Sequence, residues 1–407
     1  MRILLSIIKW VFAGFALLLA AGLVLPQGLA FLDQLGKKER AAYLQEAKVY
    51  GGSGADLSSA TFPPAFYTNR LFLFGEMHGV AGPQTVDLAL MNHLNEKIGV
   101  RWLLAELGPE TAMAFNTYLS TGDDQWARTA FDGWAEMGAQ WGNKDFFAKL
   151  ENIRADNAAR PPENRVYFLG VDQIQNETLA ANLPSALPAP IGPQALIARR
   201  TNEALLAATK QRDAQRYGHI LVNIDLVLQD PDLIDEPFYG FWGLFHVLEV
   251  TVNGTARPLA LRLKDNPAFG DRIATLLAGF GPGSFMMWPA RMLPGPLHGK
   301  NGEAYTLLPM GNDNPYMGYM RGIRDLELAN GDDTVSIFHM DRAGSPYMNG
   351  KRLVNNFGLS SLIWKFNIDG NISSAVDYVV YFNATPALTP WQGDAFDFTG
   401  RATSARR

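Results

Sequence analysis

Short apolar runs that end in polar residues recur along the chain. Leu71 to Phe74 are four consecutive apolar residues, and they lead directly into Gly75-Glu76-Met77-His78-Gly79. An uninterrupted apolar run of this length predicts a strand buried on both faces, and the glycines predict a tight loop after it. Ligands bind where parallel strands end. We therefore expect Glu76 and His78 to lie at a ligand-binding rim.

A helical pattern and a second strand follow this loop. Residues 82–99 begin with Gly-Pro, carry apolar residues at helical spacing and end with Gly. The next apolar run, Trp102 to Ala105, meets Glu106. Strand, helix and strand at this spacing predict a right-handed crossover between parallel strands. We therefore expect Glu106 to lie beside Glu76 and His78.

The same pattern returns three more times. The further runs are Val166 to Val171, which ends at Asp172; Thr334 to Phe338, which ends at His339 with Asp341 and Arg342 just beyond; and Val376 to Phe382. Helical segments such as Pro109 to Leu119 lie between the runs. The pattern predicts an α/β fold with a mostly parallel sheet covered by helices. All the polar strand ends are expected at one rim.

The remaining stretches predict the domain organisation. Residues 32–66 contain a Gly-rich stretch and a Pro-Pro pair, and we interpret them as a connector. A single α/β domain is expected over residues 67–390, followed by a tail at 391–407. Residues 183–320 lose the rhythm of strand and helix, and they are predicted to form a helical and irregular insertion over the C-terminal rim of the strands.

The N-terminus carries a long apolar segment. An uncharged stretch runs from Trp10 to Phe31, after the basic Arg2 and Lys9. A helix of roughly 20 residues crosses the hydrocarbon layer of a bilayer. Residues 1–31 are therefore expected to form a membrane-spanning signal anchor, or a signal peptide that is cleaved. In either case the folded domain is expected outside the cytoplasm, membrane-anchored or secreted.

Composition removes several classes of function. The net charge is -5 and no basic stripe is present, which argues against nucleic acid as a partner. The chain has no cysteine, which excludes disulfides, thiol nucleophiles, Fe–S clusters and cysteine zinc sites. A small-molecule substrate is the expected partner, besides the membrane at the N-terminus.

The loop and the segments that follow it resemble a known family. Gly-Glu-x-His-Gly after a strand is similar to the opening motif of the erythromycin esterases, which share a wider group with Tiki-type metalloproteases and ChaN-like haem-binding proteins. The resemblance covers roughly residues 70–175 and 320–387. It implies catalytic roles for His78, Glu76 and Glu106, and it matches His339 to the family's late histidine. Arg324-Asp325 is similar to the family's Arg-Asp segment.

The candidate residues allow more than one chemistry. Hydrolysis without a metal needs a base near neutral pKa, and His78 paired with Glu106 or Glu76 supplies one. His339 or Arg342 is then expected to stabilise the oxyanion, with Asp172 and Asp341 in support. No cofactor is required by this route. In the alternative, a divalent metal bound by His78, Glu106 and His339 activates water, as in a Tiki-like peptidase. A ChaN-like haem-binding protein that performs no catalysis is the third possibility.

Overall fold

The computed structural model describes residues 24–211, 215–298, 302–358 and 367–397. Fourteen strands are defined in these ranges, and we number them in chain order. They are β1 (Lys48–Gly52), β2 (Leu71–Glu76), β3 (Trp102–Ala105), β4 (Tyr167–Gly170), β5 (Phe238–Gly243), β6 (Ile273–Phe280), β7 (Phe285–Pro289), β8 (Tyr305–Pro309), β9 (Asp313–Asn314), β10 (Gly318–Met320), β11 (Val335–His339), β12 (Asn356–Phe357), β13 (Tyr378–Phe382) and β14 (Ala395–Asp397).

Helices cover the sheet formed by these strands. Residues 24–33 are helical, and the helices after them are numbered separately. They are α1 (Lys37–Ala47), α2 (Gly82–Ile98), α3 (Pro109–Thr121), α4 (Gln125–Glu136), α5 (Lys144–Ala159), α6 (Glu177–Ala186), α7 (Pro193–Lys210), α8 (Arg216–Gln229), α9 (Leu259–Leu263), α10 (Ile323–Asn330) and α11 (Ile372–Ala375).

The central sheet has eight strands in the order β1-β11-β13-β6-β2-β5-β3-β4. The strands from β13 to β4 run parallel to their neighbours, whereas β11 is antiparallel to β13 and β1 is antiparallel to β11. Every residue of β2 is buried, as expected for a strand covered on both faces. The prediction of an α/β fold with a mostly parallel sheet is confirmed.

Local sequence accounts well for the first crossover. Helix α2 has Pro in its first turn, and Gly99 ends it with a φ of 72°, a conformation that favours glycine. Val86, Leu90 and Leu94 are completely buried, so the apolar stripe faces the sheet. The predicted helix and the two strands on either side of it are therefore present.

Residues 183–320 contribute more than an insertion. They supply β5 and β6, which lie on either side of β2 in the centre of the sheet. Strand β5 therefore separates β2 from β3, which the crossover prediction placed side by side. Two glycines interrupt the apolar run of β5, whereas β6 is a clear apolar run that lies in a stretch without the alternation of strand and helix. Strands β7 and β8 do lie over the rim, since Met287 N donates to Gly79 O at 2.8 Å.

The stretch at residues 32–66, predicted as a connector, is part of the folded domain. It contains α1 and β1, and β1 pairs with β11 at one end of the sheet. A short strand with charged and glycine residues gives only a weak signal in the sequence. At the other end of the chain, β14 pairs with β8, so the predicted tail begins inside the fold; residues 398–407 lie outside the described residues.

The expected direction of β11 is wrong. Val335 pairs with Phe382 and His339 with Tyr378, so β11 ends where β13 begins. His339 therefore lies at the opposite edge of the sheet from the ends of β2 and β3. The apolar pattern of a buried strand is the same in either direction, and only pairing with neighbouring strands shows which way the strand runs.

The prediction of a membrane anchor is contradicted as well, and with it the membrane as a partner. No helix among the described residues is long and apolar enough to cross a bilayer. Of the stretch from Trp10 to Phe31, residues 10–23 lie outside the described residues. The helix at 24–33 ends in the buried Asp33, whose carboxylate accepts a hydrogen bond from Arg352 at 2.6 Å. This contact joins the helix to the folded domain.

Candidate functional site

The centre of the site is a carboxylate–imidazole pair after β2. Glu76 is the last residue of the strand and is 1% exposed, and its Oε1 contacts Nδ1 of His78. The His78 side chain is 37% exposed. Its Nε2 has no hydrogen-bond partner among the described residues. Glu76 therefore fixes one side of the ring, and Nε2 remains available to a ligand.

Glu106 follows β3 and is held by three donors. The backbone N–H of Gly243, at the end of β5, donates to Oε2 at 2.7 Å. Arg216 donates to Oε1 at 2.5 Å, and His246 Nε2 lies 3.1 Å from the same oxygen. Glu106 is 4% exposed. A buried carboxylate with this many partners is fixed in position as an anion.

Arg216 forms ion pairs with Asp172 and Glu106, two of the residues predicted from the sequence. Its guanidinium donates to the completely buried Asp172, at 2.6 Å from Nη2, as well as to Glu106. Arg216 is the first residue of α8, so the helix start delivers the cation to the site. Its Nη1 has no partner among the described residues. The side chain is 40% exposed, and it can therefore donate to a bound anion.

Aromatic groups and a second histidine complete the site. Tyr217 OH lies 3.0 Å from Nδ1 of His246. The ring of Trp141 packs on the ring of His78 with their centroids 4.9 Å apart. His246 therefore bridges Tyr217 and Glu106, while Trp141 borders the exposed part of His78.

Close backbone approach positions His78. A Cβ atom at Gly243 would lie 3.0 Å from His78 Nε2, so the imidazole sits directly over this glycine. Gly79 has a φ of 90°, and a Cβ there would meet Met287 O at 2.3 Å. Both glycines are needed for the loop to fold tightly against β5 and β7.

The charged groups around His78 and Glu106 shift the pKa values of these two residues in opposite directions. Burial lowers the pKa of His78, but the Glu76 carboxylate outweighs it, with help from Glu106, and the pKa rises to about 9. Burial raises the pKa of Glu106, yet His246, His78 and Arg216 hold it well below its usual range. The Arg216 guanidinium stays charged, because Asp172 and Glu106 outweigh its burial and raise its pKa. At neutral pH the site is thus a set of paired charges.

The structure brings together four of the predicted residues and leaves four apart. Glu76, His78, Glu106 and Asp172 converge at the C-terminal edge of the sheet. His339 instead binds Asp341 at 2.7 Å and stacks on Tyr378 at the other edge. The remaining two arginines lie elsewhere: Arg324 pairs with Asp313 and Glu327, and Arg342 lies over the ring of Tyr43.

The position of His339 also excludes the metal site that the sequence offered as the alternative. His78, Glu106 and His339 cannot bind one ion, because His339 is at the opposite edge of the sheet. Among the residues that the structure describes, no group of three or more His, Asp or Glu side chains is arranged to hold a metal ion. The donor set proposed from the sequence therefore does not fit a metal.

Sequence reasoning missed Arg216, Tyr217, His246 and Gly243. Arg216 starts a helix in the stretch that was interpreted as an insertion. His246 follows the aromatic run Phe238–Gly243, and the two glycines in this run interrupt the apolar pattern that predicts a strand. An apolar run that leads into a histidine is the signal already used at His78. The same rule applied after Gly243 identifies His246.

Comparisons with known proteins show the fold. No protein-family model matches the chain, and no curated protein matches it. A solved structure of a Bacillus cereus protein aligns with a TM-score of 0.57 at 15% identity, over 88% of this chain and 99% of its own. A succinoglycan biosynthesis protein aligns with a TM-score of 0.59 at 11% identity, over 87% and 98% of the two chains. These similarities establish a shared fold.

An erythromycin esterase variant in its open conformation is also similar. It aligns with a TM-score of 0.49 at 11% identity, over 79% of this chain and 92% of its own.

Proposed function

We propose that this protein is a hydrolase that activates water at His78 and cleaves an ester or lactone. The observation that carries the proposal is the imidazole of His78, held at Nδ1 by the buried Glu76 with Nε2 available. This is the arrangement of a general base with an orienting carboxylate. The resemblance of the Gly-Glu-x-His-Gly loop to erythromycin esterases supports an ester or lactone as the bond.

Each step of the proposed reaction uses a side chain of the site. Water adds to the carbonyl carbon while its proton moves to Nε2 of His78, and Glu76 stabilises the imidazolium. In this proposal Arg216 Nη1, which has no partner among the described residues, donates to the oxyanion. The tetrahedral intermediate then collapses, and the proton on His78 passes to the leaving alkoxide. Glu106 and Asp172 hold Arg216 in place throughout.

The pKa of His78 gives the reaction a pH dependence. Only the neutral imidazole accepts a proton, and its pKa is about 9. The neutral fraction, and with it kcat/KM, is therefore expected to rise with pH and to level off above pH 9. A kcat/KM that falls between pH 7 and 9 would assign His78 as an acid.

The test is hydrolysis of a panel of p-nitrophenyl esters and lactones by wild type and His78→Ala. Loss of the base is expected to lower kcat/KM by roughly 10²–10⁴-fold. His298→Ala is the control, because His298 is an exposed histidine far from His78 in the sequence. Equal activity of wild type and His78→Ala, or no hydrolysis by wild type, overturns the proposal.

A further inference from the structure

The His246 imidazole connects two sides of the site. Its Nε2 lies 3.1 Å from Oε1 of Glu106, and its Nδ1 lies 3.0 Å from the Tyr217 hydroxyl. A Cβ atom at Gly243 would lie 3.0 Å from His78 Nε2 and 3.5 Å from Cδ2 of His246, so these two ring atoms are at most 6.5 Å apart. The two imidazoles therefore border one space, and a substrate held at His78 can reach Tyr217 with a group several bonds away.

The charge of Glu106 sets the direction of the hydrogen bonds through His246. A carboxylate can only accept, so Nε2 of a neutral His246 carries the proton and donates to Glu106. Nδ1 is then an acceptor, and the Tyr217 hydroxyl donates to it. Burial raises the pKa of Tyr217 to about 12, so the phenol keeps its proton. Because that hydrogen is already used, the phenol oxygen can only accept from a further partner.

Two arginines favour the neutral form of His246. Arg216 donates to the same Glu106 oxygen, and the Arg262 guanidinium lies 5.0 Å from the ring centroid of Tyr217. An imidazolium would add a third positive charge here, which like-charge repulsion disfavours. The same arginines disfavour an ammonium group on a ligand. A donor that approaches the Tyr217 oxygen is therefore expected to be uncharged, as a hydroxyl group is.

We infer that Tyr217 is a substrate-binding residue that accepts a hydrogen bond from a hydroxyl group of the substrate. The inference rests on the proposed ester hydrolysis, and it names the substrates as esters of hydroxylated compounds. The Tyr217 side chain is half-buried, so part of it is open to a ligand. One such hydrogen bond is expected to favour a hydroxylated ester over an apolar ester of the same size by about threefold to tenfold.

Two pairs of esters with matched size test the inference. Methyl 6-O-acetylglucoside and cyclohexylmethyl acetate differ in the hydroxyl groups of the alcohol part. The p-nitrophenyl esters of 3-hydroxybutyrate and 3-methylbutyrate differ by one hydroxyl group in the acyl part. For at least one pair, the hydroxylated-to-apolar ratio of kcat/KM is expected to be about threefold to tenfold higher in wild type than in Tyr217→Phe. The pair that responds assigns the hydroxyl group to the alcohol or the acyl part.

Tyr316→Phe is the matched control. Tyr316 is 37% exposed, and its hydroxyl accepts from Gln27 at 2.7 Å, so both substitutions remove a hydrogen-bonded phenol. The ratios of Tyr316→Phe should equal those of wild type. Any displacement of His246 in Tyr217→Phe affects both esters of a pair and cancels in their ratio. Equal ratios in wild type and Tyr217→Phe for both pairs overturn the inference while leaving ester hydrolysis established.

Binding to an inactive variant gives the same comparison without turnover. In His78→Ala the esters are expected to stay intact, and NMR titration measures their dissociation constants. Adding Tyr217→Phe should lower the hydroxylated-to-apolar ratio of affinities for the responding pair by about threefold to tenfold. If wild type cleaves no ester but this ratio falls, the hydrolase proposal fails and the role of Tyr217 stands. If the ratio is unchanged for both pairs, the role of Tyr217 is wrong.

Nitrogen NMR of protein labelled with ¹⁵N-histidine measures the tautomer of His246 directly, with His246→Gln to assign its signals. We expect a protonated Nε2 and an unprotonated Nδ1 at neutral pH. A protonated Nδ1 would overturn the inference, because the Tyr217 oxygen would then accept from His246 and its hydrogen would point to another partner.

Discussion

Two buried glutamates at strand ends differ because their neighbours differ. Glu76 has a single imidazole as its partner, and its Oε2 is buried without a hydrogen bond among the described residues. Glu106 accepts from a backbone amide and an arginine and contacts His246. The first carboxylate serves to orient a base, and the second serves to position a cation.

The His78 imidazole links pH to stability. Its pKa in the folded state is about 9, above the ordinary 6.5, so the native state binds the proton more tightly than the unfolded chain does. The resulting stabilisation is complete below about pH 6.5 and is lost as the pH rises through about 9. We expect the free energy of unfolding of wild type relative to His78→Gln to fall between pH 6.5 and 9.5.

Urea denaturation at several pH values measures this difference. Subtraction of the variant removes the titration of other groups, such as Asp377, whose pKa burial and Glu249 raise to about 7. His298→Gln serves as the control, and its stability relative to wild type should be independent of pH. A constant difference for His78→Gln would show that Glu76 does not raise the pKa of the ring.

At the scale of elements, the site is a junction of three strands and one helix. β2, β5 and β3 end side by side and supply Glu76, Gly243 and Glu106. The start of α8 supplies Arg216. Parallel strands end at a common edge, so groups far apart in the sequence meet there. Helix α8 then closes the cluster with the cation that two buried carboxylates require.

Arg216→Met is expected to reduce both stability and activity. The change leaves the buried Asp172 and Glu106 without their cation. Breaking a buried ion pair costs roughly 3–5 kcal/mol; because the Arg216 side chain is 40% exposed, we expect about 2–3 kcal/mol. The measurement is urea denaturation of wild type, Arg216→Met and Arg216→Met combined with Asp172→Asn, which should recover part of the loss.

Arg200→Met is the matched control for this experiment. Arg200 pairs with Asp230 and Asp232 and is 51% exposed, so its loss should cost at most about 1 kcal/mol. If Arg200→Met and Arg216→Met destabilise the protein equally, the link from α8 to β3 and β4 is not a buried charge network.

At the scale of the whole molecule, a second charge network attaches the N-terminal helices to the domain. Arg40 on α1 donates to the buried Asp325 at 2.7 Å, and Tyr347 donates to the same carboxylate at 3.1 Å. Asp33 accepts from the backbone amide of Gly322 at 2.8 Å. These contacts involve none of the residues around His78, and their role is to hold residues 24–47 against α10.

Arg40→Met is expected to lower the free energy of unfolding by about 3 kcal/mol while leaving activity unchanged at temperatures where the variant is folded. The Arg40 and Asp325 side chains are 14% and 1% exposed, and an unpaired buried carboxylate is costly. Arg128→Met is the control, since Arg128 and Asp124 are 49% and 37% exposed and such pairs contribute at most about 1 kcal/mol. Thermal and urea denaturation distinguish the two; equal losses would contradict the assignment.

The sequence by itself determined the parts of this protein that depend on local order. β2, α2 and β3 could be predicted because apolar periodicity and the Gly and Pro signals act over a few residues. Glu76, His78, Glu106 and Asp172 were found for the same reason, since each directly follows an apolar run.

Only the tertiary structure decided which strands are neighbours and which way each one runs. β5 enters between β2 and β3 and brings Gly243 and His246 to the site, while β11 turns His339 to the far edge. Strand pairing is a contact between distant segments, and an apolar run looks the same in either direction. The Glu76–His78 pair could thus be predicted from the sequence. The positions of Arg216 and His246 beside it depend on how distant segments of the chain pack together, which the local pattern does not show.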